Sequence, residues 1–382
     1  MNQSMRAQIG ALVLATSGVQ LAVGFFGTFM SLRVPLENFS ATMSALVLSG
    51  YFAGYTIGAV CSARIIERVG HIRAYAALAG VAVVATAVMP LAIHGPAWLL
   101  LRAVIGFGCA GLFVTTEGWL NAKAAPAERG RILSIYRVGI FIALAVGQIL
   151  ISQVHVKGFA AFNIIIAMFA MALALVSLTR AEPPQITEAS ALPYGQLIRA
   201  APVAVAGAAI AGLIVGAFYT LVPAWMQERG NDRETIGLVM LAFVLGGLAF
   251  QIPVGQLSDR LDRCMVLTGL SLGLLGTSIA LVYLPRTLLA VLPTAFLFGG
   301  FLSALYPVSV AHAHDSMRGE QIVAVSGALI LLLGLGSILG PLLGTTFVVT
   351  FGINGVLYML AAVALLLALI ATARNLTSAA LV

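Results

Sequence analysis

Long apolar stretches separated by short polar loops dominate the sequence. A helix that spans a bilayer needs about 20 mostly apolar residues in succession, and twelve stretches of this kind can be counted. They cover residues 9–32, 41–63, 74–94, 97–121, 131–153, 159–179, 201–226, 235–256, 264–284, 287–311, 321–346 and 353–373. The pattern therefore predicts an all-α membrane protein with twelve transmembrane helices.

The amino-acid composition also indicates that the protein lies in a membrane. Only 9% of the 382 residues are charged and 61% are hydrophobic, whereas a soluble domain typically carries about 25% charged residues. So few charges cannot cover a surface in contact with water, so we expect lipid to surround most of it. We also expect the first stretch to be a retained helix, because it exceeds the about 7–15 apolar residues of a signal peptide.

The placement of Lys and Arg predicts an orientation. If the N-terminus is cytoplasmic, thirteen of the 20 Lys and Arg residues fall on that side and five on the other. Positive charge concentrates on the cytoplasmic side of membrane proteins, so we expect both termini there. The longest polar stretch, residues 181–200, then forms a cytoplasmic linker between an N-terminal six-helix bundle (1–180) and a C-terminal six-helix bundle (201–382).

The two halves repeat each other at an offset of 192 residues. Leu21, Gly24, Phe26 and Thr28 then coincide with Leu213, Gly216, Phe218 and Thr220, and Gly54 and Gly108 coincide with Gly246 and Gly300. The charged pair Glu67-Arg68 coincides with Asp259-Arg260 in the corresponding loops. Between the fifth and eleventh stretches the offset changes to 189, where Arg129-Gly130 fits Arg318-Gly319. An internal duplication of six helices is the organisation of one large class of transporters.

The loop after the eighth stretch carries a recognisable motif. It reads G-Q-L-S-D-R-L-D-R from Gly255 to Arg263, which resembles the cytoplasmic signature G-x-L-x-D-R-x-G-R of the major facilitator superfamily. The loop after the second stretch, A-R-I-I-E-R-V-G-H from Ala63 to His71, matches it less closely. The resemblance implies two pseudo-symmetric six-helix bundles. It also implies a cytoplasmic latch that favours one transport conformation, formed by Glu67, Arg68, Asp259, Arg260 and Arg263. A solvated, positively charged loop is the alternative.

The fourth stretch contains an arginine. Residues 102–108 read R-A-V-I-G-F-G, which resembles the R-x-x-x-G-x-G signature of the same helix in that superfamily. A charge about 7 Å inside a membrane helix is costly unless it pairs, lines water or reaches the interface. Arg102 is therefore a candidate coupling residue, and snorkelling toward the outer headgroups is the alternative.

A second charged pair is expected near the cytoplasmic ends of the fourth and fifth stretches. Glu117 and Arg137 lie at similar depths in adjacent antiparallel helices, so we expect them to pair or to share a polar cavity. Glu117 is then either a protonatable switch or part of a static ion pair. The segment from Glu117 to Tyr136, with E-G-W-L-N and E-R-G-R-I-L-S-I-Y, also resembles the YcaD-like branch of the superfamily.

In that superfamily the first, fourth, seventh and tenth helices line the central cavity. The resemblance thereby suggests Gln20, Arg102, Tyr219 and Tyr306 as substrate-contacting residues, although each is as compatible with a hydrogen bond between helices. His312, His314 and Asp315 lie at a helix end, where we expect a loop and no metal site. The three cysteines have no metal or disulfide spacing.

The sequence bears on three kinds of function. We expect a secondary active transporter, proton-coupled and monomeric, that moves a small molecule across the bacterial inner membrane. A membrane-embedded enzyme would need a clustered nucleophile and base or metal ligands at membrane depth, and no such pattern is found. A transport-inactive sensor or scaffold on the same fold is the alternative. No cofactor is expected. The sequence has no G-x-x-x-x-G-K-[ST] loop, which argues against nucleotide use, and no basic tract that would indicate nucleic-acid binding.

Overall fold

The structure is a computed structural model, and it describes residues 3–123, 129–178, 194–285, 287–317 and 321–379. Thirteen α-helices are found in these ranges. They are α1 (Gln3–Arg33), α2 (Ala41–Val69), α3 (His71–Val88), α4 (Gly95–Lys123), α5 (Arg129–Ile149), α6 (Ala160–Ser177), α7 (Tyr194–Ala200), α8 (Pro202–Glu228), α9 (Arg233–Arg260), α10 (Arg263–Tyr283), α11 (Leu288–Asp315), α12 (Ile322–Phe351) and α13 (Gly355–Ala379).

Twelve of these helices contain a segment long and apolar enough to cross a membrane, and the short α7 is the remaining one. The prediction of an all-α protein with twelve transmembrane helices is therefore confirmed. Large apolar side chains remain on the outside of the helices, where Val84, Ile252 and Leu369 are each at least 60% exposed. Such faces are expected where the surrounding medium is lipid.

Local side chains fix where several of the helices begin. Ser40 accepts a hydrogen bond from the Met43 N–H at 3.2 Å at the start of α2. Asp262 accepts one from the Met265 N–H at 3.0 Å at the start of α10. Each satisfies an N–H group that the first turn of a helix leaves free. Gly70 joins α2 to α3 with a φ of 81°, a conformation that favours glycine.

The chain divides into two compact units, Met1–Thr187 and Glu188–Val382. Unit 1 contains α1 to α6, and unit 2 contains α7 to α13. Most of the predicted linker, residues 181–193, lies outside the described residues. Its last seven residues form α7, and Leu197 of that helix is buried in an apolar cluster with Ala201 and Ala204. The C-terminal end of the predicted linker is therefore packed against unit 2.

Glycines allow the helices of unit 1 to pack with their backbones in contact. A Cβ atom at Gly54 of α2 would overlap the carbonyl oxygen of Ala103 in α4. Gly147 of α5 lies in the same way against the carbonyl oxygen of Leu21 in α1, 2.7 Å from the position of a Cβ atom. Because lipid tails are as apolar as leucine, close packing of this kind stabilises helix pairs in a membrane.

Unit 2 repeats these contacts. A Cβ atom at Gly246 of α9 would overlap the carbonyl oxygen of Phe296 in α11, and one at Gly340 of α12 would overlap that of Leu213 in α8. The same helix pairs therefore meet at the same points in both units.

The contacts define the register between the repeats. In the first and second helices, a contact residue of unit 1 has its equivalent in unit 2 192 positions later in the sequence. In the fourth and fifth helices, the equivalent contact residue lies 193 positions later. The predicted match of Gly108 with Gly300 is therefore wrong, and so is the predicted slip to 189 within the fifth helices. Residues 318–320, on which that slip rested, lie outside the described ranges. Glycine is frequent throughout these apolar helices, so a shared glycine alone does not fix their register.

Candidate functional site

Arg102 of α4 lies inside unit 1 between two aromatic rings. Its side chain is 2% exposed. Its guanidinium carbon lies 5.0 Å from the ring centre of Phe26 in α1 and 4.8 Å from that of Tyr51 in α2. Gly50 brings α2 close enough for this contact, because a Cβ atom there would lie 2.8 Å from the carbonyl oxygen of Leu99. The arrangement is a cation held by two ring faces.

The charge of Arg102 has no counter-charge in the described part of the chain. No hydrogen bond of its side chain and no carboxylate within 4.0 Å is found there, and its Nε atom is buried without a partner. Arg33 at the end of α1 differs in having a counter-charge, although its Nε atom also lacks a hydrogen-bond partner. It is 7% exposed, pairs with Glu37 and donates a hydrogen bond to the Val156 carbonyl at 2.8 Å. A buried arginine in unit 1 can therefore have a counter-charge supplied by the protein, and among the described residues Arg102 has none.

The corresponding place in unit 2 is apolar. Phe218 and Phe243, which match Phe26 and Tyr51 in the repeat, stack on each other with ring centres 4.1 Å apart. The fourth helices of the two units correspond at an offset of 193 residues, so the buried Ala295 is the equivalent of Arg102. The aromatic pair is thus common to both units, and the cation between the rings is specific to unit 1.

Glu117 and Arg137 lie near each other without forming a direct ion pair. Both side chains are exposed within membrane-spanning helices, and no salt bridge within 4.0 Å joins them among the described residues. The charge of Arg137 nevertheless acts on the Glu117 carboxyl group. The Tyr136 hydroxyl next to Glu117 is buried and has no hydrogen-bond partner of good geometry. The direct ion pair expected as one alternative is therefore not formed between these two side chains, and a shared polar cavity stays a prediction.

The motif in unit 2 forms a charged cluster that joins three helices. Arg263, the first residue of α10, binds the carboxylate of Asp315 at the end of α11 at 2.5 Å. It also contacts Asp259 at 3.3 Å and donates a hydrogen bond to the Ser258 hydroxyl at 2.7 Å, both near the end of α9. Arg260 is exposed and takes no part in these ion pairs. The sequence motif predicted a role for Arg263 and Asp259. The contact of Asp315 with Arg263 could be found only from the structure.

The matching loop of unit 1 carries a different arrangement. Glu67 and Arg68 are exposed, and neither has an ion pair within the described ranges. His71 stands at the position of Arg263 in the repeat. It is buried with its ring centre 6.1 Å from that of Trp119, and its Nδ1 atom has no hydrogen-bond partner. The sequence similarity of the two loops therefore does not extend to their side-chain contacts.

The other predicted substrate residues are Gln20 in unit 1 and Tyr219 and Tyr306 in unit 2. Gln20 lies half-buried in α1 of unit 1. In unit 2, the Tyr219 ring meets the Phe243 ring edge-on at 5.4 Å, whereas Tyr306 packs against an apolar cluster that includes Ala204 near the start of α8. Fifteen residues of helix separate Ala204 from Tyr219, or roughly 22 Å at 1.5 Å per residue. Tyr219 and Tyr306 therefore lie at different depths of unit 2.

Sequence reasoning missed the partners of Arg102. Phe26 and Tyr51 look like ordinary apolar or aromatic core positions, and their contact with the arginine follows only from helix packing. The repeat offered one signal, because Phe26 coincides with another phenylalanine, Phe218. Sequence reasoning also missed the buried Gln148 of α5, which accepts a hydrogen bond from the Thr28 hydroxyl at 2.6 Å.

The two histidines at the end of α11 have separate partners. His314 contacts the Ser326 hydroxyl at 2.9 Å, and His312 lies 3.8 Å from the Cys264 sulfur. They lie in the last turn of the helix, where a loop was expected. Within the described residues, no group of three or more His, Cys, Asp and Glu side chains is placed to hold a metal ion.

Two duplicated six-helix units with glycine-packed spans, and an intramembrane arginine in the first, define a polytopic membrane protein of the transporter class. The sequence model of the Major Facilitator Superfamily matches residues 12–232 and 204–377. The chain belongs to this superfamily, which supports membrane transport as its activity.

Relatives in bacteria match over most of their length. The MFS-type transporter YcaD of Escherichia coli K12 is 28% identical over 363 residues, which cover 94% of this chain and 93% of YcaD. The YcaD protein of Shigella flexneri serotype 5b is 28% identical over 345 residues, covering 90% and 89% of the two chains. The predicted similarity to YcaD is therefore confirmed, and the protein is a multi-pass protein of the bacterial inner membrane.

Solved structures confirm the fold. The nucleoside transporter NupG superimposes with a TM-score of 0.77 at 12% identity, covering 97% of this chain and 99% of NupG. A bacterial homologue of the human lysosomal transporter Spinster, crystallised in an inward-facing and unoccupied conformation, superimposes with a TM-score of 0.72 at 14% identity. That match covers 98% of this chain and 96% of the homologue. At such low identity the similarity concerns the fold alone.

Proposed function

We propose that this protein is a secondary active transporter that moves a small solute across the bacterial inner membrane by alternating access, with proton movement coupled to solute movement. Membership of the superfamily supports the transport part of the proposal. The duplication into two six-helix units supports alternating access, which in such folds is a rocking of one repeat against the other.

The observation that carries the proposal is the asymmetry of charge between the repeats. Unit 1 places Arg102 and Glu117 within membrane-spanning helices, and neither has a direct ion-pair partner among the described residues. The equivalent positions of unit 2 are Ala295 and Val310. Charges within a membrane are costly, and those found there mark solute or ion pathways. We therefore assign coupling to unit 1.

Glu117 is the proposed proton carrier. Its side chain is exposed, is influenced by the charge of Arg137 and forms no salt bridge among the described residues that would hold it in one charge state. A group that takes up and releases a proton during a transport cycle needs this freedom. Arg137 is proposed to adjust the affinity of Glu117 for the proton through its charge.

The cluster around Arg263 is the proposed latch. It joins the ends of α9, α10 and α11, so a change in the spacing of these helices would break it. Latch residues Glu67, Arg68 and Arg260 stand in exposed positions, and they are proposed to act only in another conformation of the transport cycle. The excess of Lys and Arg in these loops supports a cytoplasmic location for them and for both termini, and we propose that the transporter works as a monomer.

Solute flux into vesicles tests the proposal. Purified protein is reconstituted into liposomes that contain a pH-sensitive dye, and a panel of metabolites and drugs is added with and without an imposed pH gradient. At least one solute should move the internal pH in protein-containing liposomes and not in empty ones. If no solute class shows gradient-dependent flux, the protein is a membrane sensor or scaffold on this fold, and the proposal fails.

A further inference from the structure

The guanidinium of Arg102 is a buried cation whose charge the described protein leaves unbalanced. Its side chain is 2% exposed, and no carboxylate of the described residues lies within 4.0 Å. The titratable side chains beside it are those of Tyr51 and Cys109. Phenols and thiols are uncharged at neutral pH, so neither supplies a negative charge.

The two aromatic rings compensate only part of the cost. A cation over a ring face is stabilised by it, and more so when it is desolvated than when it is exposed. The ring centres of Phe26 and Tyr51 lie 5.0 and 4.8 Å from the guanidinium carbon of the buried Arg102, so both rings stabilise a desolvated cation. They do not, however, accept hydrogen bonds from the edge of the guanidinium, which carries five N–H donors. The buried and unpartnered Nε of Arg102 is one of these donors.

The repeat shows that the fold does not require a cation at this place. In unit 2 the equivalent rings of Phe218 and Phe243 stack directly at 4.1 Å, and Phe298 stacks on Phe218 at 4.9 Å. The corresponding fourth-helix residue, Ala295, is 1% exposed. The same packing scheme is therefore complete without a guanidinium, which points to a ligand-related role for Arg102.

We propose that Arg102, Phe26 and Tyr51 form a binding site for a single anionic group, and that the transported solute is an organic monoanion with an apolar body, such as an aromatic carboxylate. The guanidinium edge binds the anionic oxygens in the bidentate geometry that suits carboxylates. The ring faces of Phe26 and Tyr51 hold the guanidinium plane in place. This assignment of a solute class rests on the proposed transport function, whereas the anion site itself does not.

A stability measurement on the ligand-free protein tests the site first. Arg102→Met removes the charge but keeps an unbranched side chain that packs well against aromatic rings. Because an uncompensated buried charge is costly, the melting temperature of Arg102→Met in detergent should equal or exceed that of the wild type. Arg33→Met is the matched control, since it breaks a partnered buried arginine, and it should melt lower. If Arg102→Met loses as much as Arg33→Met, Arg102 is held by the protein and the proposal is overturned.

Ligand binding is then measured by thermal shift with three anion sources: phenylacetate, chloride (against gluconate) and phosphatidylglycerol. Phenylacetate should raise the melting temperature of the wild type in a concentration-dependent manner, and its neutral counterpart phenylacetamide should not. The shift should disappear in Arg102→Met and persist in weaker form in Arg102→Lys. It should be unchanged in Arg229→Gln, which removes another arginine that stacks on a ring, Trp225, at 4.8 Å.

Each remaining outcome decides against the proposal. A response to chloride or phosphatidylglycerol alone would assign the counter-charge to an inorganic ion or a lipid and would overturn the solute class. An equal response in wild type and Arg102→Met, or no response to any anion, would overturn the site. These measurements need no membrane gradient, so their failure is distinguishable from a failure of flux.

Discussion

At the scale of single residues, the cost of buried polar groups explains most of what is specific to unit 1. Arg33 pairs with Glu37 and donates a hydrogen bond to a carbonyl oxygen, and Gln148 bonds to the Thr28 hydroxyl and the Gly24 carbonyl. These groups have partners that the protein itself supplies. Among the described residues, Arg102 and Glu117 have no ion-pair partner, which is why they are the candidates for binding and coupling.

Replacing Gln148 should cost stability without involving the proposed site. Gln148→Leu removes the acceptor of the Thr28 hydroxyl at 2.6 Å inside unit 1. Hydrogen bonds between membrane helices contribute about 0.6 kcal/mol on average and about 1.7 at most, so we expect a loss of about 1 kcal/mol in the free energy of unfolding. Unfolding in detergent measures it. The double variant Thr28→Val with Gln148→Leu should recover part of the loss, and a further loss would contradict the assigned pair.

Neutralising Glu117 separates a switch from a structural role. Because Glu117 has no direct ion pair among the described residues, Glu117→Gln should leave expression and melting temperature close to the wild-type values. Gradient-driven solute flux should be lost. A clear drop in melting temperature would instead indicate that Glu117 is a structural partner of Arg137.

At the scale of helices, glycine contacts decide which pairs can pack. The approach of α2 to α4 at Gly54 and of α9 to α11 at Gly246 brings backbone against backbone. These contacts also explain why the repeat register cannot be obtained from identities alone. A glycine that meets a backbone and a glycine that faces lipid look the same in the sequence.

Two matched substitutions test this packing. A Cβ atom at Gly54 overlaps the Ala103 carbonyl oxygen, whereas nothing lies within 4 Å of one at Gly80 in α3. Gly54→Ala should therefore destabilise the protein, or prevent its folding, because overpacking costs about 1–3 kcal/mol. Gly80→Ala should be neutral or stabilising by up to about 1 kcal/mol, since alanine favours helices. Melting temperatures in detergent compare the two, and equal effects would contradict the helix contact.

The cluster around Arg263 should contribute little to stability. The side chain of Arg263 is 20% exposed and that of Asp315 is 56% exposed, so water and salt weaken their attraction. Exposed ion pairs contribute about 0–1 kcal/mol, and Asp315→Asn should lower the free energy of unfolding by no more than that. A latch would show itself in altered transport rates at nearly unchanged stability. Normal transport rates would reduce the cluster to a surface ion pair.

At the scale of the whole molecule, the sequence predicted the number and type of helices because a bilayer requires long apolar runs. It also pointed to Arg102 and Glu117, because charges are rare in such runs. The partners of Arg102 could not be predicted, since Phe26 and Tyr51 lie 76 and 51 residues away from it in the chain and contact it only through helix packing. The direct pair of Glu117 with Arg137 was a reasonable expectation from depth, but depth does not determine how two helices rotate toward each other.

The duplication also predicts the sidedness of the two motif loops. In a variant without the native cysteines, single cysteines at Glu67 and at Asp259, both exposed, should react with a membrane-impermeant maleimide from the same side. The excess of positive charge predicts the cytoplasmic side. Labelling from opposite sides would contradict two parallel six-helix repeats.

Flux of a solute in the presence and absence of a protonophore tests the central claim most directly. In proteoliposomes with an imposed pH gradient, the wild type should accumulate a solute, and the protonophore should abolish the accumulation. Glu117→Gln, reconstituted in equal amount, should show no accumulation under either condition. Accumulation that persists unchanged with the protonophore, or that Glu117→Gln retains in full, would contradict proton coupling through unit 1.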